Sequence, residues 1–192
     1  MATLDVFFPA VRRHITGPLD LMMREAILEA SMSFCRESLF CRGSQTLPVV
    51  SPGQVYQLCD EAQPVKCVKR LQVLLAGDDP RLLTAGDDFS SVTANDMVFL
   101  RSLEKVTIIF ALQPRRGATE VPDVLADDYT DVIAAGALEQ LFLMLNQPWS
   151  DPQRATYFHA IFIEGCRRAY RDAADNSPIN GFSNPVRKHE FY

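Results

Sequence analysis

At 192 residues, 47% of them hydrophobic and 22% charged, the chain has the composition of a folded globular protein with room for one sizeable core. Its net charge of -5 argues against a protein whose main work is gripping phosphate backbones, which takes a concentrated basic surface, but does not exclude one that lets DNA slide past without sticking. No window approaches the ~20 uninterrupted apolar residues of a membrane helix, because the strongest run, Leu138 to Leu145, is broken by Glu139 and Gln140.

The start of the chain, Met1 to Val11, carries Asp5 and no basic lead, unlike a cleaved signal peptide, so synthesis in a cytosol is expected. Val6, Phe7, Phe8, Pro9 and Val11 form an apolar lead-in that must dock on a neighbouring element or a partner. After Thr16-Gly17-Pro18, the residues Leu19, Met22, Met23, Ala26, Ile27, Ala30 and Phe34 recur at helical spacing, which predicts a helix over about 18–40.

From about 47 to 113 the texture changes to short β-prone runs, Val55 to Leu58, Val65 to Leu75, Met97 to Leu100 and Val106 to Leu112. Turn formers separate them, notably Ala76-Gly77-Asp78-Asp79-Pro80, which predicts a hairpin, and Ala85-Gly86-Asp87-Asp88. The expectation is a small meander of antiparallel strands.

Pro122 and Asp123 open a helix over about 122–146 with a wide apolar face, stopped by Asn146-Gln147-Pro148. In its middle, Ala134-Ala135-Gly136-Ala137 removes side-chain bulk and lets another helix come close. Ser150 or Asp151 then caps a helix over about 151–174 that begins at Pro152, with Tyr157, Phe158, Ile161, Phe162, Gly165, Cys166 and Ala169 placed inward. The short connection predicts an antiparallel hairpin, with Asp123, Asp127, Asp128 and Asp131 beside Arg167, Arg168 and Arg171. Residues 176–192 lack periodicity and are rich in breakers, which predicts an extended arm carrying Ile179, Phe182, Val186, Phe191 and Tyr192.

There is no G-x-S-x-G elbow, no phosphate-cradling glycine loop, no H-E-x-x-H and no C-x-x-C. The five cysteines, Cys35, Cys41, Cys59, Cys67 and Cys166, are odd in number and read as reduced, packed thiols. His14, His159 and His189 lie in three separate regions, and the doublets Asp78-Asp79, Asp87-Asp88 and Asp127-Asp128 occur where turns and helix starts favour Asp anyway. The expectation is no catalytic residue, no cofactor and no metal. Two basic clusters, Arg12-Arg13-His14 and Arg115-Arg116, read as solvated charge, and Trp149 reads as a lid between the two late helices or, if its ring is exposed, as an interface anchor.

Two groups of residues carry a resemblance. Phe8-Pro9-x-Val11, Gly17-Pro18 and Ala26-Ile27-x-x-Ala30-x-x-x-Phe34-Cys35-Arg36 form the first. The second is Pro122-Asp123-x-Leu125, Val132-Ile133-Ala134-Ala135-Gly136-Ala137-Leu138, Pro148-Trp149-Ser150-Asp151-Pro152 and Tyr157-Phe158. In this order they resemble the head-to-tail adaptor, or neck connector, proteins of tailed bacteriophages; the middle, Gln45 to Val121, resembles them in texture alone.

The resemblance implies a non-enzymatic virion protein, made in the host cytoplasm, that forms a ring, commonly dodecameric, beneath the portal. It implies portal protein and tail or nozzle proteins as partners, passing DNA contacted weakly and without sequence specificity, no membrane, and a part in tail assembly and genome ejection. The expected fold class is α+β: a helical framework, made of the N-terminal helix and the C-terminal antiparallel helical hairpin, with a small antiparallel β insertion and an extended C-terminal arm. One domain is expected over 1–175, followed by the arm at 176–192. The apolar residues Phe7, Phe8, Trp149, Ile179, Phe182, Val186, Phe191 and Tyr192 are the expected partner-binding set. Two alternatives stand beside this: a tail-completion or tail-tube component, and a small enzyme using Cys35, Cys41 or His159 as nucleophile or base.

Overall fold

The structure is a computed structural model that describes residues 1–76 and 81–176. The tip of the expected Ala76 to Pro80 hairpin and the expected arm from 177 onward, with Ile179, Phe182, Val186, His189, Phe191 and Tyr192, lie outside the described residues.

The chain begins with a short strand β1 (Ala2–Thr3), a 3-10 turn (Leu4–Phe7) and a short helix α1 (Phe8–Arg12). Helix α2 (Asp20–Ser38) follows. It starts without a side-chain cap, because the cap position falls on Leu19, whose side chain has no acceptor, and Gly17 before it takes a φ of +118°. An added Cβ at Gly17 would come within 2.6 Å of Trp149 Cε3, so glycine lets this turn lie flat against the indole. At the other end Leu39 takes a left-handed conformation (φ 52°) and its N–H donates to Cys35 O, closing the helix.

The middle of the chain contains strands β2 (Arg42–Val50), β3 (Val55–Gln57), β4 (Val65–Leu75), β5 (Arg81–Leu82), β6 (Phe89–Ser90), β7 (Asp96–Phe99), β8 (Leu103–Pro114) and β9 (Glu120–Val121). They form a four-stranded sheet in the order β2-β8-β4-β5, a three-stranded sheet in the order β3-β7-β6, and the pair β1-β9. All strand ladders are antiparallel.

This overturns the expectation of a helical framework with a small β insertion. Strand accounts for about 28% of the structure against 41% helix, and the sheets enclose a core of their own around Val73, Met97, Phe99, Val106 and Ile108. Nor is it a meander of short strands, since β8 runs for 12 residues and is paired along both sides. Much of the extra sheet is β2, which no alternating pattern announces. Gly43 and Ser44 are poor strand formers, and Pro48 lacks an N–H; Pro48 is tolerated because β2 lies at the sheet's edge. Opposite it the ladder is interrupted between the pairs Leu47–Val106 and Val49–Glu104, where Lys105 has a φ of +53°.

The C-terminal half is helical: α3 (Asp123–Asp128), α4 (Thr130–Phe142) and α5 (Pro152–Asp175). The single helix expected over 122–146 is thus broken at Tyr129, whose ring turns inward between Phe34 and Phe40, with centroids 4.8 and 4.9 Å away. The next helix starts as the pattern indicated. Asp151 accepts hydrogen bonds from the N–H groups of Gln153 and Arg154, both at 3.0 Å, and Pro152 fills the first helical position.

Helices α2, α4 and α5 pack around a second core with Phe7, Val11, Phe34, Ile133, Leu138 and Phe142. Leu112 of β8 is packed against both cores, joining the sheet to the helices.

Candidate functional site

Of the expected partner-binding residues, Phe7 is fully buried in its own chain, where it builds the helical core. Phe8 is half-buried, with the Arg24 guanidinium 5.7 Å from its ring centroid. Trp149 is half-buried between the helical core and Gly17, and its buried Nε1 has no hydrogen-bond partner. Phe7 and Val11 of the N-terminal lead-in therefore dock within their own chain, while Val6 stays exposed. The five remaining residues, Ile179, Phe182, Val186, Phe191 and Tyr192, lie outside the described residues.

The apolar surface left uncovered is elsewhere. On α5 the buried set is Ala155, Phe158, Phe162, Gly165, Cys166, Ala169 and Ala173. Tyr157 and Ile161, placed inward by the sequence pattern, face out, at 63% and 37% exposure. The helix carries apolar residues on two faces, so periodicity did not decide its phase. The exposed face borders a groove of about 580 Å³ between α4 and α5, lined by Val132, Tyr157, Ala160, Ile161 and Arg168 among others. A second groove, of about 400 Å³, lies beside the N-terminal half of α2, where Leu4, Leu21, Leu28 and Ala118 come together from distant parts of the chain. No local signal in the sequence points to it.

The expected charge pairing across the helical hairpin is not what the structure contains. Arg167 and Arg171 pair with Glu164 of their own helix, at 3.8 and 3.1 Å, and Asp123 pairs with the amino group of Met1 at 2.7 Å. Two other polar contacts cross instead: His159 of α5 meets Glu139 of α4 at 2.9 Å, and the Tyr129 hydroxyl donates to Asp172 at 3.3 Å. Burial and then the Asp172 carboxylate push this phenol up to about 12.

The polar residues singled out for chemistry are dispersed. His14 packs edge-on against Phe158, with ring centroids 5.1 Å apart, and His159 pairs with Glu139 at 2.9 Å. All five cysteines are buried. Burial first, then the neighbouring Cys59, pushes the Cys67 thiol up to about 11, and burial, then Glu37, pushes Cys166 up to about 12. The Cys35 thiol is raised well above its ordinary value, chiefly by its hydrogen bond with Cys41. Asp88 is buried, accepts from the Thr84 N–H at 2.9 Å and is paired with Arg101 and, at 3.6 Å, Arg81. Its carboxylate is thereby committed to holding loops of the sheet together.

Among the basic clusters, Arg12 pairs with Asp20 at 2.5 Å, and Arg115 donates to the backbone oxygens of Gln63 and Asp60 at 2.9 and 3.1 Å. Among the described residues, no three His, Cys, Asp or Glu side chains are grouped to hold a metal ion, and no helix is long and apolar enough to cross a membrane.

No protein-family model matches the chain, and no curated protein matches it.

Proposed function

We propose that the chain is a structural subunit of a tailed-phage virion that assembles as a ring between portal and tail. In this reading the ring extends the DNA channel and presents the surface on which tail or nozzle proteins dock. The motif pattern of the helical segments is the source of the reading. The observation that carries it further is the outward face of α5, where Tyr157 and Ile161 stand exposed one turn apart on the longest helix. Large aromatic and aliphatic side chains in a row on a rigid helix are the anchors of protein interfaces, with little use to an isolated subunit.

The polar groups favour the same direction. A nucleophilic cysteine works as thiolate in an accessible setting, whereas Cys35 and Cys166 are buried with raised values and His159 is engaged with Glu139. With the chain's net charge at -5, contact with passing DNA is weak and indifferent to sequence.

Particles assembled without the chain test this directly. Electron microscopy is expected to find filled heads that leak or lack tails, repaired by adding purified chain. Normal tailed particles, or absence of the chain from purified virions, would overturn the reading.

A further inference from the structure

We propose that Cys59 and Cys67 form a redox pair, two thiols in a reducing compartment and a disulfide in an oxidising one, where the bond ties the three-stranded sheet to the four-stranded sheet. The occasion for the change rests on the ring reading above, because a virion protein is made in a cytosol and works outside it.

The fold, not the sequence, brings the two residues together. The β3–β7 pairing runs to Gln57–Asp96 and continues beyond the strands, with the Leu58 N–H donating to Asn95 O at 2.9 Å. The Asn95 side chain then grips Cys59 on both sides, accepting from its N–H at 2.9 Å and donating to its carbonyl at 3.0 Å. Cys67, near the start of β4, reaches the same stretch from the other sheet, its thiol donating to Ala94 O at 3.2 Å. Both side chains are buried in the core enclosed by the sheets. Their mutual influence agrees with this placement, since burial first and then the Cys59 thiol raise Cys67.

Access is set by the loop between them. Residues 60–64 are all exposed, and Arg115 holds them down, its side chain donating to Gln63 O at 2.9 Å and Asp60 O at 3.1 Å and its backbone N–H to Pro64 O at 2.7 Å. An exposed loop held by so few bonds opens locally, without unfolding of the core beneath. Cys35, Cys41 and Cys166 lie instead in the helical core, which opens only with the packing of α2, α4 and α5.

The oxidant is a low-molecular-weight disulfide such as oxidised glutathione. One cysteine attacks it as thiolate, giving a mixed disulfide and releasing one glutathione; the second cysteine attacks the protein sulfur and releases the other. The two protons lost by the cysteines pass to the two glutathione thiolates, and the two electrons reduce the glutathione disulfide. The finished bond lies under the closed loop, shielded from reductants.

The test incubates the reduced full chain with oxidised glutathione at about pH 8, where thiolate begins to form, then quenches with acid, alkylates in denaturant and maps the peptides. The expected product is two hydrogens lighter and linked Cys59 to Cys67, with Cys35, Cys41 and Cys166 alkylated. Cys59→Ser and Cys67→Ser are expected to give no linked product. Arg115→Ala is expected to speed linkage at least about threefold by freeing the loop. No link, or a link that joins other cysteines in the native chain, overturns the pairing, and an unchanged rate in Arg115→Ala overturns the gate assigned to that residue. Chain extracted from purified virions into acid is expected to be linked, and chain from the producing cells to carry free thiols. Virions holding both thiols free overturn the redox change and leave the ring reading standing. A chain absent from virions overturns the ring reading, while linkage of the isolated chain is judged by its own map.

Discussion

Gly136 of α4 lies against the ring of Phe162 of α5, so closely that an added Cβ would come within 2.7 Å of Phe162 Cδ2 and 3.0 Å of Ala30 Cβ on α2. The missing side chain is what lets three helices meet at one point. Gly136→Ala adds helix propensity of about 1 kcal/mol but forces a methyl between a buried aromatic ring and another helix, which costs about 1–3 kcal/mol. The net expectation is a loss of up to about 2 kcal/mol, read as a lower urea midpoint at unchanged slope. Gly165→Ala should behave likewise, because its Cβ would come within 2.6 Å of Val132 Cγ2, and a β-branched side chain has few rotamers to retreat into.

In the sheets, stability hinges on a buried charge. Asp88 is held by Arg101, Arg81 and the Thr84 N–H. Arg101→Ala leaves a buried carboxylate with the Thr84 N–H and the more distant, largely exposed Arg81, at an expected cost of about 1–3 kcal/mol. Asp88→Ala also removes the acceptor for Thr84, whereas Asp88→Asn retains one, so the alanine variant should be the less stable of the two. Amide hydrogen exchange should localise the loss to β5, β6 and the loops around them, with α4 and α5 little changed. Uniform loss of protection would mean that the two cores unfold as one.

How much of this was legible in the sequence differs by element. The start of α5 was, because Asp151-Pro152 is a local signal that works through the backbone groups beside it. The inward face of the same helix was not. Tyr157 and Ile161 are apolar yet stand outside the core, and a hydrophobic pattern cannot say which of two apolar faces of a helix turns inward. The β region was seen in part, since Val106, Ile108 and Phe110 alternate along β8. Its extent was missed because β2 owes its strand geometry to pairing with β8, and Gly43, Ser44 and Pro48 hide it. The break at Tyr129 was likewise set by tertiary packing, between Phe34 and Phe40. The groove at Leu4, Leu21, Leu28 and Ala118 exists only once β1 has paired with β9 and brought both chain segments to α2.

The Asp5–Arg24 pair makes a pH prediction. The hydrogen bond from Arg24 holds the Asp5 carboxyl below its ordinary value of 3.8. A carboxyl depressed in the folded state contributes stability that is fully present above the unfolded value and is lost as pH falls through the folded one. Side-chain carbonyl NMR should therefore find Asp5 titrating below 3.8 in the native chain and returning towards it in Arg24→Ala. An unchanged Asp5 titration in that variant would show that the pair does not persist in solution, as exposed pairs often do not.

The cysteines permit the sharpest separation of a structural chain from an enzyme. Thiols alkylate as thiolates, and burial or a neighbouring thiol raises Cys35, Cys59, Cys67 and Cys166, the last two up to about 11 and about 12. At pH 7.5 iodoacetamide should label native protein slowly at every position, while the same reagent in denaturant labels all five within the exposure time of a free cysteine control. Intact mass and peptide mapping give the count and the positions. Slow, opening-limited labelling would follow global stability, so Gly136→Ala should speed the labelling of Cys35 and Cys166, which share its core. A single cysteine that reacts fast in the native state, with a rate that levels off below pH 7, would be a thiolate held ready for chemistry. That result would return Cys35 or Cys41 to the role of nucleophile and displace the structural reading.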